Sequence, residues 1–358
     1  MIKGHGGNIY EASKRIGCKP EDIIDMSSNL NPLGPPEGLL DSLKENINLI
    51  CSLPEVDSKS ISVLLAKKYG IPEEFVLAGN GTTQFIYSIP KALGSAKALI
   101  VGPTYSDYED ACIMNHVECD YFFTEESDDF SINYKKLFVT AAAYDTVFIC
   151  NPNNPTGELI PIEELDKLCK TFPETYFVID ESYLPFATDS YKASAICLKL
   201  PNILVLNSMS KVFRIPGLRV GFLLAPVPII YKFSELTLPW SVNAMAQMAV
   251  RYTLEKDTIE EFLKETRRFV EEEKNLFIER FKDNEKIKLF PGSVYYVIAK
   301  LDDSIKAEDV CHKLEADRIL IRDCSNFIGL PKNYIRFSLK DRDINMSLAD
   351  KVCNILNA

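Results

Sequence analysis

Histidine is scarce in this chain. Its 358 residues contain three, too few to build a histidine-rich metal centre, and no metal is expected. The ten cysteines are scattered and include no C-x-x-C pair, which disfavours structural zinc and redox dithiols. Cys150, Cys169 and Cys197 lie in apolar segments and read as small buried hydrophobes in a reducing cytoplasm. No apolar run approaches the length of a membrane span, and the opening MIKGHGGNIY has no signal-peptide core, so a cytoplasmic protein with no membrane partner is expected. Positive charge is in deficit, with 40 Lys and Arg against 51 Asp and Glu and a net charge of -11. That balance argues against a nucleic-acid partner. It leaves room for an anionic small substrate, because a few local arginines outweigh a diffuse field. Repeats and low-complexity tracts are absent too. What is left is a chain 46% hydrophobic and long enough for one large domain plus a smaller one.

The stretch the rest is organised around is Val205 to Gly221, VLNSMSKVFRIPGLRVG. Apolar runs enter and leave it, Ile203–Leu206 and Val220–Leu224, and both look like strands buried on two faces. The polar turn between them holds Ser208, Ser210, Lys211 and Arg219. A lysine held at a strand end can form a Schiff base with a carbonyl, and hydroxyls beside an arginine suit a phosphate. Lysine plus phosphate cradle is the chemistry of pyridoxal phosphate. S-x-S-K followed by G-L-R-x-G resembles the lysine motif of the class I/II (fold type I) aminotransferase superfamily, and the likeness extends over nearly the whole chain.

Residues 75 to 225 alternate strand and helix. Strands are predicted at Phe75–Ala78, Ala98–Val101, Thr146–Cys150, Tyr176–Ile179, Ile203–Leu206 and Val220–Leu224, with helices between, such as Pro161–Phe172. The fold class expected is α/β, a large domain with a mostly parallel sheet flanked by helices, plus a smaller α+β domain. Ligands of such sheets bind beyond the carboxyl ends of the strands, and polar clusters fall at four of those ends. Gly79-Asn80-Gly81-Thr82 opens a helix, as a phosphate site or a plain threonine cap. Pro103-Thr104-Tyr105 presents a tyrosine, by itself an ordinary packing residue. Asn151-Pro152-Asn153-Asn154-Pro155-Thr156-Gly157 reads as a turn by composition. Asp180 ends a buried strand and must be paired, solvated or used as a cap.

The resemblance gives these clusters roles. It implies that Tyr105 stacks on the pyridine ring, that Asn154 and Tyr183 reach the phenolic oxygen, and that Asp180 pairs with the ring nitrogen. The phosphate then sits on Gly81, Thr82, Ser208 and Arg219, with Ser210 beside them. The loop Asn29–Gly34 is like the N-P-x-G segment of histidinol-phosphate aminotransferases and threonine-phosphate decarboxylases, and H-G-G-N-I before it leans toward the decarboxylases. Arg336 matches the carboxylate-binding arginine, whose planar fork suits that group. Arg322, in I-R-D-C-S-N-F, matches a second substrate arginine. Substrate contacts are thus expected from His5, Asn8, Asn31, Asn154, Arg322 and Arg336, and catalysis from Lys211, Asp180 and Tyr183. On residues alone, the arm carrying His5 and Asn8 reads equally as a mobile tail.

Domains are expected at 1–40 (arm and part of the small domain), 41–240 (large) and 241–358 (small), with long helices at Ser241–Glu255 and Thr258–Phe281. The expected reaction is decarboxylation of threonine phosphate or serine phosphate for corrinoid biosynthesis. The alternative is transamination of histidinol phosphate. Enzymes of this type build each site at a subunit interface, so a homodimer is expected. They commonly carry Y-P-D or Y-P-E where this chain has Leu53-Pro54-Glu55, and that tyrosine reaches the neighbour's cofactor phosphate. The departure implies that the contact is weakened or replaced.

Overall fold

The computed structural model describes residues 6–188 and 190–358. Seven strands form the main sheet: Val76–Gly79 (β1), Lys97–Gly102 (β2), Glu118–Phe123 (β3), Thr146–Cys150 (β4), Tyr176–Asp180 (β5), Ile203–Ser208 (β6) and Gly221–Leu224 (β7). Their order across the sheet is β1-β7-β6-β5-β4-β2-β3. Only β7 runs antiparallel to its neighbours. Strands β4, β6 and β7 are buried along their whole length, because helices cover both faces, and this explains their unbroken apolar runs. The register sets Cys150, Asp180 and Leu206 side by side, so the loops after β4, β5 and β6 leave from one line.

Strand β3 was not anticipated. Its burial alternates, and Glu118 and Asp120 interrupt its apolar pattern, as befits an edge strand whose charges discourage further pairing.

A second, antiparallel sheet comprises Ile287–Phe290 (β8), Tyr296–Leu301 (β9), Arg322–Asp323 (β10) and Tyr334–Ser338 (β11), ordered β10-β11-β9-β8. The N-terminal segment joins this unit, since Ile24–Asp25 pairs in parallel with Ile319–Leu320 and Met26 lies in its core with Phe277, Ile335 and Phe337.

The expected boundary at 240 does not coincide with a break in packing. Ala246, Ala249, Val250 and Leu254 of helix Ala244–Glu255 belong to the core of the large sheet. The division falls within helix Thr258–Glu279, whose Ile259, Leu263 and Val270 face the large core while Phe277 enters the small one. Leu39 also packs with the large core, so the expected boundary at 40 falls just inside it.

The two units touch backbone to backbone beside the site. Ser293 N donates to Gly157 O at 2.7 Å. A Cβ on Gly292 would lie 2.4 Å from Gly157 Cα, and Gly157 itself has φ +73°. Only glycine permits that approach. Gly292→Ala is therefore expected to lower stability by about 1–3 kcal/mol, the usual cost of overpacking. A urea midpoint equal to wild type would show that the contact yields freely.

Candidate active site

The order of strands reverses at β2: the chain first moves outward to β3, then returns to β4, β5 and β6 on the other side. Loops leaving the carboxyl ends part at such a point and open a crevice. A cavity of about 230 Å³ lies there. Gly81, Thr82, Tyr105, Asn154, Asp180, Tyr183, Ser208, Ser210, Lys211, Arg219, Arg322 and Arg336 all line it.

One end is an anion cradle. Helix Gly81–Leu93 starts at the cavity with Gly81 at φ +74°. A Cβ on Gly81 would lie 2.7 Å from Arg219 Nη2, and a Cβ on Gly221 would lie 2.7 Å from Thr82 N. Two glycines thus let a guanidinium settle against free amides at the start of a helix, a concentration of donors suited to phosphate. Ser208 and Ser210 close the cradle from the end of β6.

Asp180 occupies the middle. Its Oδ1 accepts from Ser182 N at 3.0 Å and Ser182 Oγ at 2.6 Å, and its Oδ2 accepts from Tyr108 Oη at 2.8 Å. Burial pushes its pKa up, while these hydrogen bonds and Lys211 pull it back. Among the described residues no cation pairs directly with this carboxylate, and a protonated ring nitrogen would supply one. Tyr108 and Ser182 were not anticipated as site residues. Tyr108 stands within the run around Tyr105, but nothing local shows that its hydroxyl crosses to the end of β5.

Tyr183 is buried and accepts from Asn29 Nδ2 at 3.3 Å. Burial raises its pKa, with Arg336 and Asn29 opposing. Asn154 Oδ1 accepts from Arg336 Nη1, which leaves its amide nitrogen for another acceptor. Arg336 Nη2 donates to Ser27 O at 2.7 Å, and the guanidinium lies 5.3 Å from the Tyr296 ring centroid. Its Nε is buried with no partner among the described residues. Arg322 donates to Asn326 Oδ1 at 2.6 Å and lies 5.1 Å from the Phe327 ring centroid.

Two expected substrate contacts, Asn31 and Asn8, do not line the cavity. Asn31 is fully buried outside it, with Nδ2 donating to Val212 O (2.8 Å) and Thr266 Oγ1 (3.1 Å) and Oδ1 accepting from Leu33 N. It ties the N-terminal loop to the lysine turn. Asn8 is exposed and caps helix Ile9–Ile16, accepting from Glu11 N at 3.2 Å. His5 lies outside the described residues. Gly6, Ser27, Ser28 and Asn29 line the cavity instead.

Residues 21–352 match the family model of aminotransferase class I and II. The chain is 32% identical, over 98% of its length, to the adenosylcobalamin biosynthesis bifunctional protein of Leptospira interrogans, and spans 41% of that protein. Its fold matches the crystal structure of L-threonine-O-3-phosphate decarboxylase from Porphyromonas gingivalis, with TM-score 0.83 and 28% identity, covering 93% of this chain and 99% of that one. It matches the histidinol-phosphate aminotransferase of Clostridium acetobutylicum as well, with TM-score 0.84 and 28% identity, covering 93% of this chain and 98% of that one.

Lys211 lines the cavity with its charged form disfavoured. Burial first, then Arg336 and Arg219, push its amine down to about 8 from the ordinary 10.5, against the pull of Asp180 and Asp107. Because the folded value is lowered, the neutral, nucleophilic amine predominates above about pH 8. The rate at which ligand-free protein captures an added aldehyde such as pyridoxal phosphate should rise through pH 8 and then level off. A rate still climbing at pH 10, followed by absorbance after rapid mixing, would place Lys211 among ordinary lysines.

Proposed function

The chain belongs to the class I and II aminotransferases, and from that premise we propose that it is a pyridoxal-phosphate-dependent decarboxylase of a phosphorylated hydroxy-amino acid. Pyridoxal phosphate is its cofactor, and the residues present suit that group. In this reading the cradle of Gly81, Thr82, Ser208, Ser210 and Arg219 holds the phosphate. Asp180 takes the ring nitrogen, Asn154 and Tyr183 the phenolic oxygen, and Tyr105 a ring face. When bound, the cofactor provides a sink for electrons released at the substrate's α-carbon.

The observation that carries the reading is a pair of arginines. Arg322 and Arg336 sit directly opposite on β10 and β11, and both line the cavity. Like charges across a strand pair are destabilising, and burial lowers the Arg322 pKa further. Anionic groups relieve that repulsion. Threonine phosphate and serine phosphate each carry two, an α-carboxylate for the unpartnered Nε of Arg336 and a phosphate for Arg322. Holding the remote phosphate makes binding energy available for orienting the α-carbon. Lys211 Nζ then supplies the proton that replaces the departing carboxylate, and the product is an amino-alcohol phosphate. The name of the Leptospira relative supports a place in corrinoid biosynthesis.

The competing reading, transamination of histidinol phosphate, uses the same arginines for histidinol phosphate and a dicarboxylate in turn. Incubation with threonine phosphate, serine phosphate, or histidinol phosphate plus 2-oxoglutarate separates the two. Carbon dioxide is expected from one of the first two without a keto acid, and Lys211→Ala should abolish it. Glutamate from histidinol phosphate, with no carbon dioxide from either phospho-amino acid, would establish the transaminase.

A homodimer completes the proposal. Leu53 and Leu238 are 77% and 73% exposed, and Ile50 and Trp240 are exposed as well. Trp240 N donates to Val56 O at 2.8 Å, which brings the segments that carry Leu53 and Trp240 together, and an apolar surface there would suit a partner subunit. Leu53 stands in that surface and not in the chain's own cavity. A mass of two chains is expected in light scattering at micromolar concentration. Leu53→Tyr should tighten cofactor binding about fivefold, one hydrogen bond's worth. An active monomer, or unchanged affinity in the variant, would refute the arrangement.

A further inference from the structure

The cavity wall that carries Arg322 rests on a segment of the large unit, and that support is specific. Strand β3 ends at Phe123, and the chain continues through a short turn, Glu126–Asp128. Two consecutive non-glycine residues then adopt the left-handed region, Asp129 (φ 49°) and Phe130 (φ 63°). Side chains seldom tolerate that backbone, and it persists where surrounding contacts dictate it. Here it drives the Phe130 ring across the gap into the small unit.

Phe130 is 3% exposed and shares a compact cluster with Phe290, Ile298, Cys324, Phe327 and Tyr334. All of its partners belong to the antiparallel sheet or to the loop after β10. Its ring meets Phe290 edge-on at 5.0 Å and Tyr334 at 6.0 Å. Polar contacts flank it. Glu126 Oε2 accepts from Lys300 Nζ at 3.0 Å and from Tyr334 Oη at 2.9 Å. Asp129 Oδ1 accepts from Lys288 Nζ at 2.8 Å. A third contact lies further along the same loop: a Cβ on Gly329 (φ +93°) would lie 2.4 Å from Phe123 Cε1, so that ring packs directly on the loop backbone.

The loop held this way, residues 323–330, carries Asn326 and Phe327, two side chains that hold the Arg322 guanidinium. Both face the cavity on their other side. Phe130 does not line the cavity and stands more than 190 positions along the chain from what it supports.

We propose that Phe130, with Glu126 and Phe123, is a positioning element that sets Arg322 at the distance needed for the substrate's second anionic group. Phe130 packs the loop from behind, Phe327 and Asn326 transmit its position, and Arg322 makes the contact. The proposal rests on Arg322 as a substrate anchor, and the test separates the two. Steady-state kinetics are measured on whichever phosphorylated substrate the wild-type holoenzyme turns over, with cofactor affinity measured alongside.

Arg322→Ala is the reference and should raise KM. Phe130→Ala should raise KM about tenfold, with kcat within about twofold and cofactor affinity unchanged, the pattern of lost ground-state binding. Phe130→Leu should recover most of it. In the Arg322→Ala background, Phe130→Ala should add little, because the two act through one contact. Glu126→Gln and Gly329→Ala perturb the same support without opening a cavity, and should shift KM the same way if Phe130→Ala does not fold. An unchanged KM in Phe130→Ala (or in both substitutes), equal losses in kcat and cofactor affinity, or additive effects in the double variant would overturn the positioning role while leaving Arg322 as anchor. An unchanged KM in Arg322→Ala would overturn that reading and the proposal with it.

Discussion

Asp180 places a carboxylate at the buried end of β5, and keeping that charge there constrains most of the site. An ionised carboxylate cut off from water costs several kcal/mol unless it is paired or hydrogen-bonded. The structure meets the cost with three donors from two sources. Ser182 gives its amide and hydroxyl, and Tyr108 reaches over from the helix that follows β2. Tyr108 is held in turn by stacking on Phe148 of β4 at 5.4 Å, so one charge ties together the ends of three strands. The adjacent acid meets the opposite fate. Glu181 turns away, accepts from Ala195 N at 2.7 Å, and burial raises it to about 8, so it is mainly protonated at neutral pH. Two neighbouring carboxyls are thereby kept from competing, and only Asp180 offers its charge to the cavity.

Around that anion the cavity is cationic, although the chain carries a net charge of -11. Arg219, Arg322 and Arg336 line one space of about 230 Å³. They serve two ends at once. As forks they suit phosphate and carboxylate. As a field, Arg336 and Arg219 keep the Lys211 amine near 8, second only to its burial. By linkage, an anion that neutralises those arginines makes Lys211 a stronger base, and a protonated Lys211 holds the anion more tightly.

The strand ends that line the cavity are legible in the sequence because each is an apolar run broken by a polar residue, as at Asp180 and Ser208. The roles proposed for them rest on whole motifs matched in order, not on any one residue. The edge strand Glu118–Phe123 is not legible in the sequence because half of its side chains face solvent and its charges imitate a loop. The pattern of helix Ala244–Glu255 is plain in the sequence, yet its buried face packs on the large core. Periodicity shows that a face is buried, and not what it is buried against. Asn8 and Asn31 are ambiguous in the sequence for a related reason. An asparagine's amide serves a ligand, a helix cap or a backbone carbonyl equally well, and only the fold decides which. Tyr108 was hidden because its partner lies 72 positions away.

What the local patterns could not reveal is how the two units are fixed to each other, and the geometry of the site depends on it. Arg336 belongs to the small sheet, yet it donates to Asn154 of the β4 loop and to Ser27 O of the N-terminal segment. Gly157, three residues beyond Asn154, packs on Gly292 from the loop before β9. Helix Thr258–Glu279 runs without a break from one core into the other. A displacement of the small sheet would therefore move Arg336 and the amide of Asn154 together. The group that would receive the substrate's carboxylate and the group that would hold the cofactor's phenolic oxygen thus share one hydrogen bond. Their separation is set by that contact more directly than by either domain, which keeps the substrate end in register with the cofactor end.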